Sequence, residues 1–205
     1  AARTIISAVL LMVTFSPMPS FSESSLNCFT MLRRRLKAAG EQPIPRVSIT
    51  IKRAEEAVAR FMQGYNCAQS VSSVFSHDAG VPEETILRAA TGFGGGMGRT
   101  GGACGAVSGA VLVIGLMVGS AGPDEKEAKD LTYDLTREFV ERFAERTGSV
   151  SCTELLGCDL STDEGRARAR RDNLTRTLCP RYIRNAVELL EEVLAPVISG
   201  RPAGR

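Results

Sequence analysis

The sequence predicts an all-α protein, a compact multi-helix bundle around a central glycine- and alanine-rich apolar helix. No segment shows the apolar–polar alternation of a strand, whereas apolar residues recur at three- and four-residue spacings. One uncharged stretch, Ala103 to Val118, is apolar enough to be a buried helix. We expect residues 48–198 to form one helical domain, with a leader at residues 1–47 and a tail at residues 199–205.

Composition excludes several classes of function. The formal net charge of the 205 residues is only +2, and aromatic residues make up 5% of the chain with no Trp. Nucleic-acid binding needs basic patches and stacking side chains, so we expect no nucleic-acid partner. The single histidine, His77, rules out a histidine-rich metal site and makes Cys–His hydrolase chemistry a poor fit.

The leader is interpreted as disordered or signal-like. Ile5 to Phe15 has the length of a signal-peptide apolar core, but only Arg3 precedes it and no small-x-small cleavage site follows. We expect a cytoplasmic protein, with export as the alternative if residues 1–27 act as a signal peptide. Cys28 lies in this leader and is interpreted as incidental.

The first part of the domain is predicted to form three helices. Apolar residues begin to share one helical face at Thr50. Asn66 is a good N-cap, which places Cys67 at the first position of a second helix that ends near Gly80. Pro82, followed by two glutamates, is typical of the start of a third helix.

A glycine-rich loop precedes the central helix and is predicted to deliver Cys104 to its first turn. The unpaired N–H groups and the macrodipole of a helix start favour a thiolate there, which is the nucleophilic and metal-binding form of cysteine. Glycine allows positive φ and close backbone approach, so the loop can wrap tightly around a bound group. The residues expected to shape this site are Gly94, Gly95, Gly96, Gly98, Arg99, Gly101 and Gly102.

The central helix has two features that bear on its surroundings. Gly105 and Gly109 are four residues apart, so a neighbouring helix can approach closely. Its strongly apolar part, Val111 to Val118, is far shorter than the ~20 residues that cross a bilayer. We therefore expect a buried helix and no membrane span.

The second half carries three more predicted helix starts. Asp124 is expected to cap a long amphipathic helix, whose apolar stripe has a four-residue spacing and which ends at Gly148. Ser151 opens a capping box that places Cys152 at the first helical position. Pro180 suits the first position of a last helix, which would put Cys179 at its cap. Between them, the basic run 166–171 is interpreted as a solvated helix face, with docking of an acidic redox partner or a nucleic acid as the alternative.

Four cysteines thus fall at or near predicted helix starts, namely Cys67, Cys104, Cys152 and Cys179. If these ends converge, the sulfurs share one pocket, and four-cysteine ligation suits an iron–sulfur cluster or structural zinc. No C-x-x-C pair is present, and buried structural cysteines are the alternative. Cys158 is ambiguous between an additional ligand, a resolving thiol and a small core residue.

Four segments in order carry a family resemblance: Tyr65–Ala68, Gly101–Gly109, Cys152–Gly157 and Cys179–Pro180. The chain resembles the family of redox-active proteins named for the cysteine pattern C_GCAxxG_C_C. It departs from the literal name by reading Cys-Gly-Ala where the name has Gly-Cys-Ala.

The resemblance implies a redox role, with the four cysteines as metal ligands or redox thiols. A related domain accompanies haems in split-Soret cytochromes, where an iron–sulfur cluster is proposed. This chain contains no C-x-x-C-H, so covalent haem attachment is not implied.

Three functional hypotheses follow. The leading one is an electron-transfer protein that holds an iron–sulfur cluster through the four cysteines. It would exchange electrons with a redox partner protein, either an electron carrier or an oxidoreductase. In the second case it could be a component of that oxidoreductase. The second is a metal-free thiol–disulfide protein with Cys104 as the activated thiol. The third is a helical binding module stapled by zinc or disulfides.

Overall fold

The computed structural model of the protein describes residues 46–198, and within this range the chain is all-α, as predicted. The leader, Cys28 and the tail lie outside the described residues, apart from the start of the first helix. The helices are α1 (Arg46–Met62), α2 (Cys67–Ser73), α3 (Ser76–Ala79), α4 (Glu83–Ala90), α5 (Gly105–Val118), α6 (Lys126–Thr147), α7 (Cys152–Leu156), α8 (Asp163–Arg171) and α9 (Leu174–Ile198). A short 3₁₀ turn, Thr91–Phe93, follows α4.

The predicted cap of α2 is confirmed, but the helix is shorter than expected. The Asn66 side chain accepts a hydrogen bond from the Gln69 N–H at 3.0 Å, and the Gln69 side chain accepts one from the Asn66 N–H. Ser72 donates its hydroxyl to the Ala68 carbonyl at 2.8 Å, and such back-bonding competes with helix continuation. The predicted single helix is therefore two pieces, α2 and α3, and Gly80 ends the second in the left-handed conformation.

Helix α5 begins two residues later than predicted. An isolated antiparallel bridge between Ala103 and Ser151 holds the preceding chain extended. Cys104 donates its N–H to the Val150 carbonyl at 2.7 Å, and Cys152 donates its N–H to the Gly102 carbonyl at 2.7 Å. Cys104 consequently occupies the N-cap position of α5 and not its first turn.

The close helix contact predicted from Gly109 is present. A Cβ atom built at Gly109 would lie 2.7 Å from the Ala68 carbonyl oxygen, so only glycine allows α5 to lie this close to α2. Helix α5 also packs against α6 and α9. Its position as the centre of the bundle stays a prediction.

The predicted N-cap of α6 was Asp124, but Glu125 occupies that position. The helix therefore begins one residue later than predicted. The Glu125 carboxylate instead accepts the Ala121 N–H at 2.8 Å, which stabilises the preceding turn. The predicted apolar stripe is buried at Leu135, Phe139 and Phe143. Gly148 ends the helix with φ of 90°, as expected of a left-handed C-cap.

The prediction for Pro180 is wrong. Helix α9 starts at Leu174, after a left-handed Asn173 with φ of 52°, so Cys179 and Pro180 lie inside the helix. Proline removes one hydrogen bond of a helix interior, at a cost of about 3 kcal/mol. Burial of Ile183, Val187 and Leu190 along the same helix offsets that cost.

No helix in the described part of the chain is both long and apolar enough to span a bilayer.

Candidate functional site

All four cysteines expected to form the site line one pocket of about 450 Å³. This volume lies in the ordinary range for small-molecule and cofactor sites. Cys104, Cys152 and Cys179 are buried, and Cys67 is half-buried. The other residues that line the pocket are Phe61, Asn66, Thr91, Gly94, Gly95, Gly98, Arg99, Gly105, Leu155, Leu156, Leu160, Thr175 and Tyr182.

The glycine-rich loop forms one wall and has an unusual conformation. Five consecutive residues, 95–99, all have φ between 62° and 71°, so the chain makes a left-handed turn. L-residues normally visit this conformation singly, because Cβ crowds the following carbonyl. Met97 and Arg99 adopt it beside three glycines. The sequence predicts a tight glycine loop here but not a left-handed turn.

Glycine is required within this turn where the loop meets Cys152. A Cβ atom built at Gly96 would lie 2.8 Å from Cβ of Cys152 and 2.7 Å from the Gly102 nitrogen. Both distances are shorter than any real van der Waals contact of a methyl group. The absent side chain at Gly96 therefore lets the loop lie directly against the cysteine.

Backbone pairing holds two of the sulfurs in register. The chain segments at the starts of α5 and α7 pair through the bridge described above, with hydrogen bonds from backbone N–H groups to backbone carbonyls. Cys104 is the N-cap residue of α5, and Cys152 is the first residue of α7. Two helix starts that are 48 residues apart in sequence thus deliver their cysteines to the same pocket.

Asn66 positions Cys67 through a network that reaches the glycine loop. Its amide donates to the Thr91 carbonyl at 3.0 Å, while its oxygen caps α2. Gln69 donates to the Leu87 carbonyl and to the Thr91 hydroxyl, each at 3.0 Å. Sequence reasoning identified Asn66 only as a cap, because its second role depends on the tertiary contact with Thr91.

Tyr182 is a pocket residue that sequence reasoning missed. It lies on α9 one turn after Cys179, is 4% exposed, and donates its hydroxyl to the Leu155 carbonyl at 2.8 Å. This bond ties α9 to α7, which carries Cys152. The three-residue spacing between Cys179 and Tyr182 is the only signal of this role in the sequence.

Two of the thiols are less acidic than predicted. Burial raises the pKa of Cys104 to about 11, although backbone N–H groups of Ala106 and Val107 act in the opposite direction. Burial also raises the pKa of Cys152 to about 12, with the nearby cysteines adding to the effect. The helix-start effect exists at Cys104, but loss of solvation exceeds it.

Cys67 and Cys179 behave as a pair. A hydrogen bond between their sulfurs lowers the pKa of Cys179, and the same bond, together with burial, raises the pKa of Cys67 well above its ordinary value. Cys179 is thus the pocket cysteine whose thiolate is favoured, although it does not lie at a helix start.

The described residues contain no group of three or more ligating side chains close enough to hold one metal ion. A single zinc requires four ligands at about 2.0 to 2.3 Å from one point. The four cysteines line one pocket together. Four thiolates and no histidine are the donor set of structural zinc and of iron–sulfur clusters alike.

Two other predicted site residues lie at the margins. Cys158 is buried in the apolar core and is not among the residues that line the pocket, although it lies near enough to Cys152 to help raise the pKa of that thiol. Arg99 lines the pocket but is exposed. His77 lies fully exposed on α3.

The fold and the pocket define an all-α protein with four cysteines directed to one partly enclosed site. Residues 65–193 match the family described as "Putative redox-active protein (C_GCAxxG_C_C)", and the chain belongs to this family. The match spans all four cysteines of the pocket. No curated protein and no solved structure shows significant similarity to the chain.

Proposed function

We propose that this redox-active family member carries electrons on an iron–sulfur cluster held by Cys67, Cys104, Cys152 and Cys179. The observation that carries the proposal is the shared pocket of the four sulfurs, which come from four separate helices. Thiolate ligation of this kind is the usual protein contribution to [2Fe–2S] and [4Fe–4S] clusters. When bound, such a cluster accepts and releases one electron at a time.

The chain would contribute ligands, shielding and a rigid frame. Burial of Cys104, Cys152 and Cys179 limits water at the site, and the apolar side chains of Leu155 and Leu156 extend that shielding. Ligation requires thiolates, and metal binding releases the thiol protons, so the high pKa of Cys104 makes cluster loading more favourable at higher pH.

Four thiolates also suit structural zinc, which stays the alternative metal centre for this site.

A second function, thiol–disulfide exchange, is favoured by one observation. Cys67 and Cys179 share a hydrogen bond, so their sulfurs are already neighbours. In exchange with a disulfide substrate, the two thiols would form a disulfide and pass two electrons and two protons to the substrate, which leaves as two thiols. In that case Cys179 and not Cys104 would be the attacking thiolate.

Replacement of a single pocket cysteine separates these functions. We expect Cys104→Ser to lose most of its iron after anaerobic reconstitution, because serine cannot replace a thiolate in a four-sulfur site. The matched control is Cys158→Ser, which changes a buried cysteine outside the pocket and should keep its iron. Iron and acid-labile sulfide per chain are the measurement. Full iron in Cys104→Ser would contradict the assignment of this ligand.

A further inference from the structure

Three exposed apolar side chains adjoin, in sequence, residues that line the pocket. They are three of the six large apolar residues of the described chain that are notably exposed. Met62 follows Phe61, Tyr65 precedes Asn66, and Met97 precedes Gly98. Their exposed fractions are 44%, 37% and 48%. Exposed apolar side chains grouped beside a pocket are typical of a contact surface.

Two arginines lie beside the same pocket. Arg99 lines the pocket, and Arg176 adjoins Thr175, which also lines it. Arg176 donates to the Met62 carbonyl at 3.3 Å, which places it beside the exposed methionine. Both arginines are exposed, and neither has a carboxylate partner within residues 51–197. We call these five exposed residues the rim: Met62, Tyr65, Met97, Arg99 and Arg176.

Two rim residues that are not glycine have a strained backbone conformation. Met97 and Arg99 hold left-handed conformations with φ of 62° and 67°, which glycine adopts without penalty. The positions between and before them are glycine. Neither side chain is buried, so neither is explained by the core. Strained residues of this kind are concentrated at sites of function.

The segment that carries Arg176 and Cys179 is rich in arginine, although others of its arginines pair with carboxylates, among them Arg166, Arg171 and Arg184. Residues 165–184, which include Cys179 and Arg176, contain seven arginines and one aspartate. The net charge of the whole chain is only +2, so the rest of the protein is net acidic. The run 166–171 was interpreted as a solvated face. Arg166 and Arg168 on that face also donate to the Leu160 and Gly157 carbonyls.

We propose that the rim is the docking surface for an acidic electron-transfer protein. Its apolar residues would exclude water at the contact, while Arg99 and Arg176 pair with carboxylates around the partner's own redox group. Docking at the rim would place that group beside the pocket that the four cysteines line. The inference rests on the proposed redox function for its purpose, but binding can be measured independently of it.

The test uses an acidic [2Fe–2S] ferredoxin as the probe and the full chain as the receptor. We expect binding that weakens as salt is raised from low to physiological concentration, because salt screens exposed charges. The double variant Arg99→Glu, Arg176→Glu should weaken binding about tenfold or more. Arg137→Glu on α6 is the matched control, since its exposed guanidinium pairs with Asp134 and does not line the pocket. It should bind as the original chain does.

Met97→Gly provides a readout that a purely structural role would not give. It removes a rim side chain while relieving the left-handed strain, so we expect weaker binding together with an unchanged or higher Tm. Loss of binding in proportion to a loss of Tm would overturn the docking role of Met97.

The outcomes separate docking from the cluster. No binding of the ferredoxin, equal losses in Arg137→Glu, or tighter binding of a DNA oligonucleotide than of the ferredoxin would each overturn the proposal. Binding is measured on the metal-free and the reconstituted chain. Loss of the cluster with binding retained contradicts the proposed function alone, and a loaded cluster without binding contradicts the docking surface alone.

Discussion

Cys104 shows how two local effects compete at one residue. The N–H groups of Ala106 and Val107 stabilise its thiolate, as expected for a helix start. Burial removes more solvation than these two groups return, and the pKa rises to about 11. In the metal-free chain Cys104 is therefore a neutral thiol at pH 7. A bound metal would reverse this, because a coordinating thiol is deprotonated.

The pH dependence of alkylation tests this assignment. In the metal-free chain the thiolate fraction of Cys104 should rise about tenfold per pH unit until the pH approaches 11. Cys179, whose pKa is lowered by Cys67, should react at lower pH than Cys104. Iodoacetamide labelling at a series of pH values, followed by peptide mass spectrometry, measures both sites. A rate at Cys104 that is already maximal at pH 8 would contradict the account.

At the scale of the element, the contact between α2 and α5 determines where Cys67 lies relative to Cys104. Both Gly105 and Gly109 face α2, where added Cβ atoms would meet Cys67 at 3.1 Å and Ala68 at 2.7 Å. The close approach therefore depends on the lack of side chains on this face of α5. Gly115, on the same helix, has open space around it.

Two alanine substitutions on α5 should have opposite effects. Gly109→Ala should destabilise the fold by about 1–3 kcal/mol, because its methyl group clashes with the Ala68 backbone. Gly115→Ala should stabilise it by about 0.5–1 kcal/mol, because alanine loses less entropy on forming a helix. Chemical denaturation gives both values. Equal effects of the two substitutions would refute the close contact.

Capping chemistry made some elements predictable. Asn66, Gly148 and Ser151 each occupy the predicted cap position of a helix end. The capping box predicted at Ser151 is only half formed, because the Glu154 carboxylate and the Ser151 N–H both bond to the Ser149 hydroxyl instead of to each other. The helix start predicted at Pro180 was wrong, because proline suits the first turn of a helix but can also be tolerated inside a long one. The choice depends on how much apolar surface α9 buries before and after it, which is a tertiary quantity.

At the scale of the whole molecule, the sequence predicted the helical class and the four cysteines that share the pocket. It did not predict the left-handed turn at residues 95–99, since glycine permits many conformations and selects none. Nor did it reveal Tyr182, whose partner Leu155 is 27 residues away. The hydrogen bond between Cys67 and Cys179 likewise arises only when α2 and α9 pack together.

Different parts of the molecule contribute different features to the pocket. The bundle supplies cysteines from several helices, and the glycine loop forms one wall. Thr175, Cys179 and Tyr182 of the basic segment 165–184 also line the pocket. Family membership supports a redox role, and the cluster and the partner are our proposals.

The most direct test of the central claim is the metal content of the purified protein. Anaerobic purification, followed by a visible absorption spectrum with iron and acid-labile sulfide analysis, is the measurement. We predict a brown protein with iron and sulfide in a fixed ratio to the chain. A protein that stays colourless and metal-free after anaerobic reconstitution would contradict the cluster and leave thiol–disulfide exchange between Cys67 and Cys179 as the better account.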